Sequence, residues 1–424
     1  MKLSSKLLIN VCLAASLGLA TSCDKKEEAA APAASKKAAV AAQTYKMAFS
    51  GALTGPTSDA GVPYARGIED YCKYTNDNGI LGADKVACDI KDDGYKTDVT
   101  KRNYEAFLDE GIVAYFNYST GSTLGLKKDF EETQMPVIPA SMHADNTIGS
   151  NYIFLPIASY SEQALGLAEY VANHHEGGTP KIALFIHPSA FGRGPVNDVN
   201  LAIKQGLLNV ELVEVVEHSK GLDNTAMLKR LQSKGVQYVI SQTVQSPVAS
   251  LLKDAKRLGV TAGSYGEAGK LTFLGAHYTG GTDLVALAGD AADKYLWVTS
   301  FRLASEQSEG SAFIKSLATT YNRDKKTQES HNYTSGVLVA QIAVEAMKRA
   351  KAAGKDISSA SITEELNGMN GSSAYFANTT VGPVTFSATD RSGVDTLQLY
   401  KNVNGTFLSE NKPFQSAFYK QLKK

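Results

Sequence analysis

The sequence predicts an α/β protein of two tandem units, each a parallel sheet flanked by helices. Three observations carry that expectation. Short apolar runs alternate with longer stretches of helical period. Glycines stand where helices should stop. The chain has 424 residues, 43% of them apolar, enough for two or three domains with substantial cores. Lysine plus arginine balances aspartate plus glutamate at 43 each, which excludes the basic footprint of a nucleic-acid binder and any polybasic or acidic tail.

In chain order, Lys2 and Lys6 form a positive start and Leu7 to Ala20 an apolar stretch, shorter than the ~20 residues of a spanning helix. Ala20-Thr21-Ser22 then supplies small residues before Cys23. That order reads as a signal peptide over residues 1–22. Residues 23–43 are charged, alanine-rich and without a wide apolar face, as expected of a flexible linker. Folding is expected to begin near Tyr45.

The body opens with YKMAFSG as a strand, PYARGIEDYCKYTNDNG as a helix and KVACDIKDDG as a strand. VTKRNYEAFLDEG follows as a helix and IVAYFNY as a strand. Gly79 and Gly111 mark helix ends, and Asp98 is the expected cap of the second helix. A second series starts after Pro156: SYSEQALGLAEYVANHH, KIALFIH, GPVNDVNLAIKQGLL, VELVEVVEH, NTAMLKRLQSKG, YVISQTV and VASLLKDAKRLG alternate helix and strand. SHNYTSGVLVAQIAVEAMKRAKAAG is a further long helix, and a turn and closing strand end the body. Once Cys12 and Cys23 are set aside, Cys72 on a helix and Cys88 on the next strand remain. They form a disulfide or stay as two buried thiols, and a Cα separation under about 7 Å is the condition for the bridge.

Enzyme motifs are missing. Gly263 to Lys270, GSYGEAGK, has Leu271 where a phosphate loop needs Ser or Thr, and Gly192-Arg193-Gly194 has Asn197 in place of a third glycine. There is no HExxH, CxxC or GxSxG. No catalytic residue, metal site or cofactor is expected, and His174-His175 reads as a helix end.

FSGALTGPTSDAGVPYARGIEDY, NDNGILGADKVACDIKDD, STGSTLGLKKDFEETQMPVIPAS, FIHPSAFGRG and LLKDAKRLGV occur in that order. Together they resemble the type I periplasmic solute-binding proteins of ABC transporters, in the branched-chain amino-acid or amide-binding family, over residues 45–400. The resemblance implies a two-lobed fold with three crossover hinge strands, near residues 155–160, 278–284 and 383–388. The lobes would be 44–157 plus 284–384 and 158–283 plus 385–424. It also implies a ligand cleft and hinge closure. Cys23 resembles the acylated cysteine of a bacterial lipobox, so a lipid anchor at the membrane is expected.

The resemblance also assigns the site. The loop Tyr118 to Thr123 would grip a ligand carboxylate through Thr120 and Ser122, unless those hydroxyls only cap a helix. Ser141 would contact the amino-acid end, and His143 stands where amino-acid binders have threonine. Phe191 replaces a ring-stacking tyrosine, and Val244 falls where another tyrosine would be. His277 aligns with the family's ammonium-binding glutamate, a change that an imidazole cannot make good. His143 and His277 are expected to face each other across the cleft. Tyr160 and Tyr64 are weaker choices, and Asp92 and Asp93 read as structural. The function expected is capture of a small polar, amino-acid-like, aromatic or carboxylate ligand and its delivery to an ABC permease and ATPase. The alternative is a ligand-sensing receptor module of the same fold.

Overall fold

The computed structural model describes residues 41–218, 221–303, 305–370, 376 and 378–422. The expected signal peptide, Cys23 and nearly all of the linker lie outside them.

Alternating buried residues and glycine-terminated helices produce twelve strands among the described residues. These are β1 (Thr44–Gly51), β2 (Lys85–Asp92), β3 (Ile112–Asn117), β4 (Leu155–Ile157), β5 (Lys181–Ile186), β6 (Glu211–Glu217), β7 (Tyr238–Gln242), β8 (Thr272–Gly275), β9 (Leu296–Thr299), β10 (Ser392–Val394), β11 (Gln398–Val403) and β12 (Thr406–Ser409). The first lobe holds a parallel sheet ordered β2-β1-β3, and the second a sheet ordered β12-β11-β9-β8-β7-β5-β6. In the second sheet β5 to β9 run parallel, while β11 is antiparallel to β9 and β12. Between the lobes β4 and β10 pair in parallel, Leu155 with Ser392 and Ile157 with Val394.

Two crossover positions are corrected. The second falls after β9 rather than near 278–284, because β9 pairs with β8 through Leu274–Leu296 and Gly275–Trp297. Helix Gly281–Ala288 and β9 therefore belong to the second lobe. The third runs through β10, later than 383–388. Residues before it stay with the first lobe, where Phe386 packs on Phe154 with ring centroids 5.4 Å apart. A four-residue strand in a glycine- and alanine-rich stretch carries too little periodicity to announce itself.

Helix Ser58–Asp77 packs along the buried helix His331–Ala352 in the first lobe. Gly67 and Gly336 let the backbones touch: a Cβ at Gly67 would run into the Tyr333 carbonyl, and one at Gly336 into that of Tyr64. Cys72 is bonded to Cys88, Cα to Cα 6.3 Å, tying this helix to β2. Arg323 donates to both carboxylate oxygens of the buried Asp70, at 2.8 and 2.7 Å. The N-cap position of the helix over Thr97–Asp109 is Lys96, whose side chain makes no capping hydrogen bond; Asp98 sits in the first turn and pairs with Arg102 at 3.0 Å.

Candidate functional site

Parallel strands end with their loops and helix starts on one edge, and that is where both lobes meet. Nine residues enclose a cavity there: Thr57, Tyr95, Tyr118, Thr120, Ala140, Tyr160, Phe191, Val244 and Tyr278. All of these but Ala140 follow the carboxyl ends of β1, β2, β3, β4, β5, β7 and β8 within a few residues. The space between them is about 20 Å³, room for little more than one water.

The first-lobe wall is built by hydrogen bonds. Ser119 caps the short helix Thr120–Gly125 by accepting from the Ser122 N–H at 3.1 Å. Thr120 Oγ1 accepts from Ser141 Oγ at 2.9 Å, and Asn146 Nδ2 donates to the same Ser141 oxygen at 3.1 Å. Thr120 thus faces the cavity with Ser141 directly behind it. Thr57 Oγ1 is buried with no hydrogen-bond partner among the described residues, beside the Tyr118 phenol.

The second-lobe wall is aromatic. Phe191 packs edge-on to Tyr160 at 5.2 Å and to Tyr278 at 5.8 Å. Tyr160 begins the helix Tyr160–His174, whose start is a full capping box between Ser159 and Glu162. Burial raises the Glu162 carboxyl to about 7 against the hydrogen bonds from Ser159. The Tyr278 hydroxyl reaches across to the Ala140 carbonyl at 2.7 Å. Ser246 donates its N–H to Asp59 at 3.2 Å, a second polar bridge between lobes. No lining residue is charged, and burial raises the phenols of Tyr95, Tyr118, Tyr160 and Tyr278 further from ionisation.

Among the expected site residues, Thr120, Tyr160, Phe191 and Val244 line this cavity and Ser141 supports it. Three expectations are corrected. Ser122 turns inward: its Oγ accepts from Asn117 Nδ2 at 3.0 Å and lies 2.8 Å from Ser119 Oγ. His143 lies outside the lining; its Nδ1 accepts from the Asp145 N–H at 3.1 Å, and its ring abuts Gly194. His277 is fully buried, with Nδ1 2.8 Å from Thr299 Oγ1 and Nε2 3.3 Å from Ser335 Oγ. The two histidines therefore do not meet across the cleft. After β8 a single 3-10 turn over His277–Thr279 points the imidazole into the interior and delivers its neighbour Tyr278 to the cavity.

Sequence reasoning passed over Thr57, Tyr118 and Ala140, although they stand inside the quoted stretches. It also missed Tyr95 and Tyr278. The signal for Thr57 is its place before a helix start in the Thr-Gly-Pro loop. For Tyr95 it is the preceding Asp-Asp-Gly turn.

A two-lobed α/β protein with an uncharged cavity where the strand ends of its lobes meet has the layout of a ligand-binding cleft. The sequence pattern of the family described as periplasmic binding protein matches residues 44–406, and the chain belongs to that family, with the type I fold. A crystal structure described as a branched chain amino acid ABC transporter from Thermus thermophilus with bound valine is 42% identical. It covers 90% of this chain and 99% of its own, with a TM-score of 0.85. The leucine-, isoleucine-, valine-, threonine-, and alanine-binding protein of Pseudomonas aeruginosa is 23% identical over 61% of this chain. The match spans 66% of that protein, just under two thirds of its length. A fatty acid ABC transporter substrate-binding protein from Thermomonospora curvata shares the fold at a TM-score of 0.76 and 17% identity, over 89% of this chain and 94% of its own. Membership brings a solute-binding role and an extracytoplasmic location. Among the described residues no helix is long and apolar enough to cross a membrane.

Proposed function

We propose that this chain is a lipid-anchored extracytoplasmic solute-binding protein that closes on a small apolar amino acid and delivers it to an ABC permease. The observation that carries the reading is the make-up of the interlobe cavity. Hydroxyls of Thr57 and Thr120 stand on the first lobe, where a carboxylate oxygen is best met by donors. Phe191 and Val244 on the second lobe suit an apolar side chain. Four tyrosine rings offer π faces to an ammonium in place of the family's glutamate. Anchoring would run through Cys23 after removal of residues 1–22, and stable attachment needs more than one acyl chain.

Thermal denaturation with a panel of amino acids, amides and aromatic acids tests the ligand class. A ligand at 100 times its Kd should stabilise the protein by about 2.7 kcal/mol, and valine or leucine is expected to lead the panel. Stabilisation by aromatic acids alone would overturn the amino-acid reading. Cys23→Ser should abolish fatty-acid labelling; a labelled variant would remove the anchor.

A further inference from the structure

Tyr95 takes up a backbone conformation that its residue type resists. Its φ is +64°, in the left-handed region that glycine enters freely and a bulky side chain rarely does. Such strain persists only where neighbours over-determine it, and here they do. The Tyr95 N–H donates to Asp93 Oδ1 at 2.8 Å. Asp93 is itself buried and accepts from Ser50 Oγ at 3.2 Å and Thr100 Oγ1 at 2.9 Å. Asp92 accepts the N–H groups of Leu53, Thr54 and Gly94 at 2.9, 3.1 and 3.0 Å. The paired aspartates thus form a rigid clamp whose product is the position of one side chain.

That side chain lies at the junction of the lobes. The Tyr95 ring lines the cavity, packs edge-on to Tyr118 of the first lobe at 6.2 Å and meets His187 of the second at 5.9 Å. Its hydroxyl lies within electrostatic reach of Ser189, whose Oγ lies 2.9 Å from His187 Nδ1. A ring fixed from one lobe and received by the other occupies space that a longer ligand would need.

We propose that Tyr95 is a specificity-determining cap: the aspartate clamp holds its ring across the cavity mouth and excludes amino acids with large side chains. The inference rests on the amino-acid reading of the cleft given above. Asp92 and Asp93 are positioning residues for the cap, which gives the structural aspartates of this turn a functional purpose.

Isothermal titration calorimetry with valine, leucine and phenylalanine tests it on the unaltered protein, Tyr95→Gly and Tyr95→Phe. Tyr95→Gly accepts the same φ without strain, so the fold is retained. It should raise the ratio of phenylalanine to valine affinity by about tenfold or more, the scale on which a pocket discriminates by size. Tyr95→Phe keeps the ring and should keep the preference. Valine binding with an unchanged ratio in Tyr95→Gly would overturn the cap and leave the amino-acid reading standing. Phenylalanine binding that appears only in Tyr95→Gly would support the cap. No binding of the three amino acids to either chain would overturn both.

Discussion

The two walls of the cleft are made differently. The first-lobe wall is a hydrogen-bonded lattice, in which Thr120, Ser141, Asn146, Asn117 and Thr123 satisfy one another within a single lobe. The second-lobe wall is a set of rings and one valine, placed by the ends of β5, β7 and β8. Under the proposed function the difference would assign an order to binding. A prebuilt polar wall would meet the ligand's charged end while the lobes are apart, because its donors need no partner lobe to be oriented. An apolar wall gains only when it is removed from water, so it would reward closure. Polar recognition and hinge closure would then be separated onto different lobes.

That contrast is sharpened by perturbing what holds each lobe. Cys72 and Cys88 close a 16-residue span in the first lobe, and the chain-entropy model gives such a bridge about 3 kcal/mol. Cys72→Ala with Cys88→Ala should lower stability by that amount and raise hydrogen exchange in β2 before β5. Thiol counting on the unreduced, denatured protein should find neither cysteine free. Equal exchange in both lobes would mean that they unfold as one unit.

The second wall depends on a buried carboxyl instead. Glu162 is raised from 4.5 to about 7 by burial, so the folded state keeps a proton that the unfolded chain releases near pH 4.5. Stability contributed here is full below about pH 4.5 and is lost as pH rises to about 7, by up to about 3 kcal/mol. Asp283, raised to about 6 by burial, slopes the same way over a lower range. Glu162→Gln should flatten the upper part of the denaturation midpoint's pH profile. A slope unchanged in this variant would remove Glu162 as its source.

Binding should respond unequally to the two walls. Thr120→Val removes a hydroxyl and leaves both the ligand oxygen and Ser141 without their partner, at about 1.5–3 kcal/mol, or roughly 10- to 100-fold in affinity. Phe191→Leu keeps an apolar surface of reduced size and should cost less than about 1.5 kcal/mol, mostly as faster release. Calorimetry with stopped-flow release rates would compare them. A larger loss at Phe191 than at Thr120 would reverse the proposed order of recognition.

Legibility in the sequence followed the range of the interactions. Strand and helix order depends on local period and on glycines, so the alternation through the helix that ends near Leu258 could be read directly. β9 could not, because LWVT is four residues long and is held as a strand by its neighbours. Thr120 and Phe191 sit in short helices just past strand ends, in stretches whose order along the chain is itself informative. Tyr95 required knowing that Asp93 would bind its N–H and that the second lobe would supply His187, contacts that no spacing records.

His277 gives the sharpest contrast between alignment and geometry. It occupies the aligned place of an ammonium ligand, yet the turn after β8 buries it between Thr299, Ser335 and His331. Burial, with His331 beside it, holds its imidazole well below the usual range, and burial lowers His331 to about 3. Both rings are therefore neutral throughout pH 6.5 to 8.5 and lie outside the cavity lining, so neither titrates against a ligand there. The prediction is a null difference: the valine affinity of His277→Asn, whatever its absolute value, should follow the same pH profile as the unaltered protein across that range. A titration step present in the unaltered protein and lost in His277→Asn would put the imidazole back in the site.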